Sequence, residues 1–537
     1  MHLRSLLPAI FLLAFVPLAT LAQSNSMPRL EKQGDHYAFL LDGQPYFILG
    51  AQIHNSSSWP ESLPKVWTLA EGLHANTVEA PVYWEQMEPQ PGQFDYSLVD
   101  TLVQQAREHH MHLVLLWFGT WKNGRMHYVP EWVKTDPAKF PRVQTRDGDP
   151  LDVLSQFSQT NLDADKTAFA ALLRHLRTID SDQHTVLMVQ VENETGTLGS
   201  VRDFSPAANK LFAGQVPREL VTALHKQPGT WQQVFGGDAD ETFAAYGVAH
   251  YVSQVAAAGK AEYALPMYVN NWLRSPNGDD RPGSNYPSGG PTSNMLDVWK
   301  AAAPAIDMIG PDIYITNSEM YRKVLEQYHR PDNPLWIPET LGFSAEPGVD
   351  FSRYIFYALG QDAIGFSPFG LDSLPADEFT HNTTPQLASL AENYRLLGSM
   401  DRELAQLLFA GKVQTAVEEP MLDSVSLDFG KWKANVRFED ASDNSRPQTG
   451  MEKLNAGRAL VAQLSPDEFL VTGIDARVDF VLSHPAPKEH MQYLRVEEGA
   501  YDGTTWKSTR WWNGDETDSG LNFFDKGVLL HADLGTY

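Results

Sequence analysis

Thr185-Val186-Leu187-Met188-Val189-Gln190-Val191 stays apolar almost throughout and runs into Glu192-Asn193-Glu194-Thr195-Gly196. A short β-rich run of this kind, bounded by turn residues, reads as a strand covered on both faces. Seven other segments have the same texture: 46–53, 76–84, 112–119, 266–272, 307–315, 334–339 and 363–370. Between them lie 63–73, 97–110, 166–178, 241–261, 294–303, 319–328 and 351–360, where apolar residues recur at three- and four-residue steps, as on one face of a helix. Eight near-continuous apolar strands alternating with helices predict an α/β fold, a closed parallel TIM (β/α)8 barrel. A last helical segment, 384–408, would complete it.

After Gly411 the texture changes to short alternating runs, 425–429, 469–471, 477–482, 493–497 and 528–532, separated by turn residues. These predict a smaller all-β, sandwich-like C-terminal domain over 411–537, behind a catalytic barrel over 23–410. The stretch 277–291 holds four Gly and three Pro in fifteen residues and reads as a long loop after the fifth strand.

Residues 1–22 read as a secretion signal: Arg4, an apolar run over 6–18, then Thr20-Leu21-Ala22 as a small-residue cleavage site. Export to the periplasm or medium of a bacterium is expected, an uncleaved N-terminal anchor being the alternative. No later stretch is long and charge-free enough to span a bilayer. Among 537 residues, 41 Lys and Arg stand against 67 Asp and Glu, a formal charge of −26 that would repel a nucleic-acid backbone or an anionic membrane. The absence of Cys excludes disulfides, a lipid-modified cysteine and thiol catalysis. His109, His110 and His112 lack the spacing and carboxylate of a metal motif and are read as structural.

In such a barrel the reacting groups sit at the C-terminal ends of the strands. Two strands end in glutamate: the fourth, at Glu192-Asn193-Glu194, and the seventh, Pro334-Leu335-Trp336-Ile337-Pro338-Glu339. Carboxylates from separate strands can converge on one glycosidic bond, one as proton donor and the other as nucleophile or base. Glu194 and Glu339 are the candidate pair, and Asn193 is placed to hydrogen-bond a sugar 2-hydroxyl. No metal or organic cofactor is called for.

Val189-Gln190-Val191-Glu192-Asn193-Glu194 resembles the signature of glycoside hydrolase family 35 β-galactosidases, in which the second glutamate is the acid/base. Gly50-Ala51-Gln52-Ile53-His54, the run from Asn76-Thr77-Val78 to Trp84, and Glu88-Pro89-Gln90-Pro91-Gly92-Gln93-Phe94-Asp95 are similar to further motifs of that family. The resemblance spans roughly 40–375. It implies a retaining, exo-acting β-galactosidase with Glu194 as acid/base and Glu339 as nucleophile. The chain departs from the animal-type pattern at Pro81-Val82-Tyr83-Trp84-Glu85, at Gly119-Thr120-Trp121-Lys122-Asn123-Gly124 and at Thr340-Leu341-Gly342-Phe343. It looks more like the bacterial branch with a β-rich C-terminal domain, some members of which trim galactosyl side chains from xyloglucan.

Further candidates for contacting a galactoside each carry a second reading. Glu79 either meets a hydroxyl or pairs with a base. Tyr314 either donates to the nucleophile or packs. Asn123 either binds a hydroxyl or shapes the turn beside Gly124. Trp84, Trp117, Trp121 and Trp272 either stack on sugar C–H faces or belong to the core. His54 is a hydroxyl contact or a satisfied core histidine. Glu192, sharing a strand face with Glu194, is read as a supporting group rather than a catalyst. Competing functions are another retaining hydrolase on this barrel (a β-glucosidase, a mannanase or a family 42-like galactosidase), or an inactive exported carbohydrate-binding protein. The oligomeric state is not legible.

Overall fold

The computed structural model describes residues 26–343, 351–381, 383–420, 422, 424–438 and 456–537, so the expected signal segment lies outside the described residues. Eight parallel strands close into a barrel: Ile48–Gln52, Thr77–Tyr83, His112–Lys122, Val186–Asn193, Met267–Trp272, Met308–Ile313, Trp336–Thr340 and Gly365–Pro368, the eighth pairing with the first. Helices wrap it, among them Ser97–Glu108, Gln159–Asp180, Ala239–Glu262 and Pro385–Gly398. Ser158 and Thr384 start two of these by accepting the N–H of the residue three further on. The expected single helix over 384–408 is two, Pro385–Gly398 and Asp401–Phe409. Asp401 and Glu403 in the first turn of the second suit a new helix start.

Strand parity sorts the side chains into two layers. On the third strand Val114, Leu116 and Phe118 fill the barrel lumen with Met188, Tyr268, Met308 and Trp336, whereas Leu113, Leu115 and Trp117 face the helices. Phe39 and Leu41 belong to the lumen cluster. They come from a hairpin, Arg29–Gln33 with His36–Leu41, that the sequence reading did not anticipate. The hairpin plugs the floor of the barrel.

Residues from Val413 on form two antiparallel sheets, of six and four strands. Arg458–Ser465 lies within the six-stranded sheet: Ala459 and Val461 point into the core between the sheets, while Leu460 and Ala462 join the core of the barrel. The two halves therefore share apolar surface. Among the described residues no helix is long and apolar enough to cross a membrane.

Candidate active site

The third strand does not stop at Gly119 but continues to Lys122, with a register shift against the fourth strand between Trp117 and Lys122. This brings Lys122 opposite Asn193, where its Nζ donates to Asn193 Oδ1 at 2.8 Å. At the end of the fourth strand Glu192 and, just past it, Glu194 have φ of +67° and +44°, a left-handed conformation that non-glycine residues seldom hold. The twist undoes the simple alternation, so the expectation that the two glutamates share a face is wrong. Glu192 turns outward, accepting the Trp121 N–H at 2.7 Å, and lies against Asp165 of the helix Gln159–Asp180. Burial and the Asp165 charge push its carboxyl well above the usual range. Asp165 in turn accepts from Trp117 Nε1 (3.0 Å) and Thr120 Oγ1 (2.7 Å).

Glu194 turns the other way, into a cavity of about 540 Å³ at the C-terminal end of the barrel. Its backbone N–H donates to Asn270 Oδ1 (2.9 Å), and Asn270 Nδ2 donates to Asp312 Oδ2 (2.7 Å). Asp312 pairs in register with Glu339 on the seventh strand. Glu339 accepts from the Tyr314 hydroxyl (2.5 Å) and from Gln52 Nε2 (3.1 Å). Carboxyl oxygens of Glu194, Asp312 and Glu339 lie within 4.8 Å of one another. They form the group of metal-type side chains found among the described residues, and their cationic neighbour is Lys122.

These neighbours set the protonation states. Burial, then the charge of Glu339, push Glu194 up to about 7, against the opposing pull of Lys122 and a hydrogen bond with Asp312. Asp312 is raised well above an ordinary aspartate by burial, then by Glu339 and Glu194. The Tyr314 phenol is raised by burial and by the Glu339 charge, so it stays a donor. One carboxyl is thus able to hold a proton near neutrality beside another that receives two hydrogen bonds, the division of labour that acid and nucleophile require.

Of the residues singled out in the sequence, the structure brings Glu194, Glu339, His54, Asn123, Trp272 and Tyr314 to the cavity wall. Trp272 and Tyr314 are exposed there, at 40% and 45%. His54 Nδ1 lies 3.0 Å from Asp372 Oδ1, which leaves Nε2 of the ring for a ligand. Asn193 stands next to Glu194 with Nδ2 buried and unpaired, and Asn123 Oδ1 is likewise without a partner. Asn123 lies on the cavity wall, whereas Asn193 is fully buried and is not among the residues that line it.

Four expectations for sugar contact fail. Trp84, Trp117 and Trp121 are wholly buried in the core between barrel and helices, because strand parity or the extended third strand points them away from the mouth. Glu79 is in the lumen with no solvent access; it neither reaches the cavity wall nor meets a base, but accepts from the Tyr268 hydroxyl at 2.9 Å. Asp312, Lys122, Asn270 and Gln52 were missed as site residues. Asp312 was findable: it lies near the end of the sixth strand, two residues before Tyr314, and so shares its parity. Lys122 was not, since a plain strand would have ended before it.

Residues 38–272 match glycosyl hydrolases family 35, and residues 390–524 match a domain of unknown function, DUF5597. A β-galactosidase of Xanthomonas manihotis is 31% identical over 204 residues, 36% of this chain and 31% of that protein. β-Galactosidase 17 of Arabidopsis thaliana is 28% identical over 189 residues, 34% of this chain and 25% of its own length. The chain thus spans a third or less of the length of these relatives. A solved cold-adapted β-galactosidase from Rahnella sp. R3 superposes with a TM-score of 0.45 at 17% identity, covering 69% of this chain and 58% of that one.

Proposed function

From the match of residues 38–272 to glycosyl hydrolases family 35, we infer that the chain is a retaining, exo-acting β-galactosidase with Glu339 as nucleophile and Glu194 as acid/base. The observation that carries this reading is the approach of the two carboxyls from the fourth and seventh strands to within 4.8 Å. Retaining enzymes hold their pair about 5–5.5 Å apart, whereas inverting ones need about 6.5–9.5 Å to admit a water. In the first step Glu339, oriented by Tyr314 and Gln52, attacks the anomeric carbon as Glu194 protonates the departing oxygen. In the second Glu194, now a carboxylate, takes a proton from water, which attacks the same carbon and releases Glu339. Asn193 Nδ2 is free to donate to the sugar 2-hydroxyl as charge develops. Trp272 offers an exposed aromatic face at the rim.

The test is Glu339→Gln, expected to remove turnover of aryl β-galactosides without unfolding the protein, together with NMR of the first-formed anomer. Undiminished hydrolysis by that variant, or an inverted anomer, would overturn the assignment. A panel of aryl glucosides and mannosides separates the competing barrel hydrolases. For the natural substrate we propose galactosylated side chains of a plant polysaccharide such as xyloglucan, met outside the cytoplasm after removal of residues 1–22. Release of galactose from xyloglucan oligosaccharides, and Gln23 as the first residue of the mature protein, are the expected results.

A further inference from the structure

Asp312 has no part in a two-glutamate mechanism, yet it is fixed as firmly as either glutamate. Asn270 ties its Oδ2 to the backbone of Glu194, while Oδ1 is buried and receives no hydrogen bond from an N–H or hydroxyl, and the Glu194 carboxyl lies within hydrogen-bonding reach of the Asp312 carboxyl. An anionic oxygen in that place, with two other carboxyls inside 4.8 Å, would be left desolvated among like charges. A carboxylic acid there has an O–H to give.

Resting on the retaining reading above, we propose that Asp312 is a positioning residue: it remains a neutral acid, and its Oδ1–H is the hydrogen bond that receives Glu194 once Glu194 has given up its proton. In the glycosylation step the proton of Glu194 leaves with the aglycone oxygen and Glu339 becomes an ester. Glu194 is then a buried carboxylate whose charged neighbour is Lys122, itself engaged by Asn193. The Asp312 O–H steadies that carboxylate until it accepts the proton of the attacking water. Asp312 keeps its own proton throughout, so the step balances as an ordinary double displacement. The groups facing Asp312 are Glu194 and Glu339, Lys122 from the third strand, Tyr268 and Asn270 from the fifth, Tyr314 on its own side, and Tyr328 of the helix Ser318–Tyr328. Lys122 is the cation among them, and it does not outweigh the two glutamates and the burial.

Asp312→Asn copies the neutral acid: its carbonyl can still accept from Asn270 and its amide can still donate to Glu194. Asp312→Ala removes the donor. For Asp312→Asn we expect kcat/KM within about threefold of the wild type and an unmoved alkaline limb of the pH profile. For Asp312→Ala we expect deglycosylation slowed about 10–100-fold, with the limb displaced upward because the Glu194 carboxylate has lost its donor. Were Asp312 an anion instead, neutralising it would favour the Glu194 carboxylate, and the limb of Asp312→Asn would move down by about a unit or more; that result overturns the proposal. Infrared difference spectra of the two full-length proteins give a readout independent of turnover. A neutral-carboxyl C=O band should be lost in Asp312→Asn, and a carboxylate band lost in its place refutes the proposal even if no glycoside is cleaved. Inactivity of the wild type on all glycosides with the neutral band present would sink the galactosidase reading and spare the protonation of Asp312.

Discussion

Glu194 shows what a buried carboxyl costs the fold. Its carboxyl binds a proton more tightly in the native chain, near pH 7, than in the unfolded one, near the ordinary 4.5. A raised native value gives stability that is complete below about pH 4.5 and is lost as the pH climbs through 7. Gln cannot titrate, so the stability of Glu194→Gln relative to the wild type should rise by roughly 1–3 kcal/mol between acid and mildly alkaline solution. Urea denaturation at both ends of that range measures it, and a constant difference would mean that Glu194 is not perturbed. If Glu194 is the acid of the mechanism proposed above, the same titration places the alkaline limb of kcat/KM near 7, since the protonated form is the one that serves the leaving group. Tyr314 acts on the other carboxyl. Replacing it with Phe removes a 2.5 Å hydrogen bond from Glu339, and we expect kcat to fall about 10–100-fold with KM little changed, as steady-state kinetics would report.

The site is assembled by irregularities in two neighbouring strands. Gly119 sits where the third strand departs from regular pairing, and a Cβ there would lie 2.3 Å from Trp117 Nε1 and 2.9 Å from oxygens of Asp165 and Glu192. Gly119→Ala is therefore expected to cost about 1–3 kcal/mol in a urea melt. It should also lower kcat, because the Trp121 N–H to Glu192 bond that anchors the extension bearing Lys122 is disturbed. All eight barrel strands were legible in the sequence, since a strand covered on both faces is a continuous apolar run whatever its register. Glu339 was legible too, as the acid ending such a run. What was hidden depended on the backbone breaking its own rule: the left-handed residues at Glu192 and Glu194, and the extension to Lys122, which sent Trp121 into the core. Trp117 is a different case, because its parity with Leu113 and Leu115 already pointed it at the helices. In the C-terminal sheets the alternating run 477–482 marks the strand Ala476–Leu482, whereas Arg458–Ser465 shows no alternation, its apolar residues being consecutive because each face meets a different core.

That double burial makes barrel and sheets one cooperative body. Leu460, Ala462, Leu470 and Leu529 of the six-stranded sheet belong to the apolar cluster of the barrel. Arg458, fully buried, donates to Asn393 Oδ1 at 2.7 Å and to Ser389 Oγ at 2.8 Å on the helix Pro385–Gly398. Arg395 of that helix reaches back to the carbonyl of Gly527 at 2.8 Å, and Thr415 Oγ1 donates to the carbonyl of Phe356 at 2.8 Å. The DUF5597 match begins at residue 390, inside this helix, so the recognisable unit includes part of the barrel wall against which the sheets rest. Calorimetry of the full chain should accordingly give one transition. Arg458→Ala takes a donor away from the buried Asn393 Oδ1 and from the carbonyls of Ser389 and Ala456, at a cost of about 3 kcal/mol or more. If the halves are coupled as their shared core requires, that substitution in the sheets lowers the single transition and carries the loss of the proposed activity down with it. Two separated peaks, with activity following only the one that Arg458→Ala leaves in place, would show that the barrel stands without the sheets.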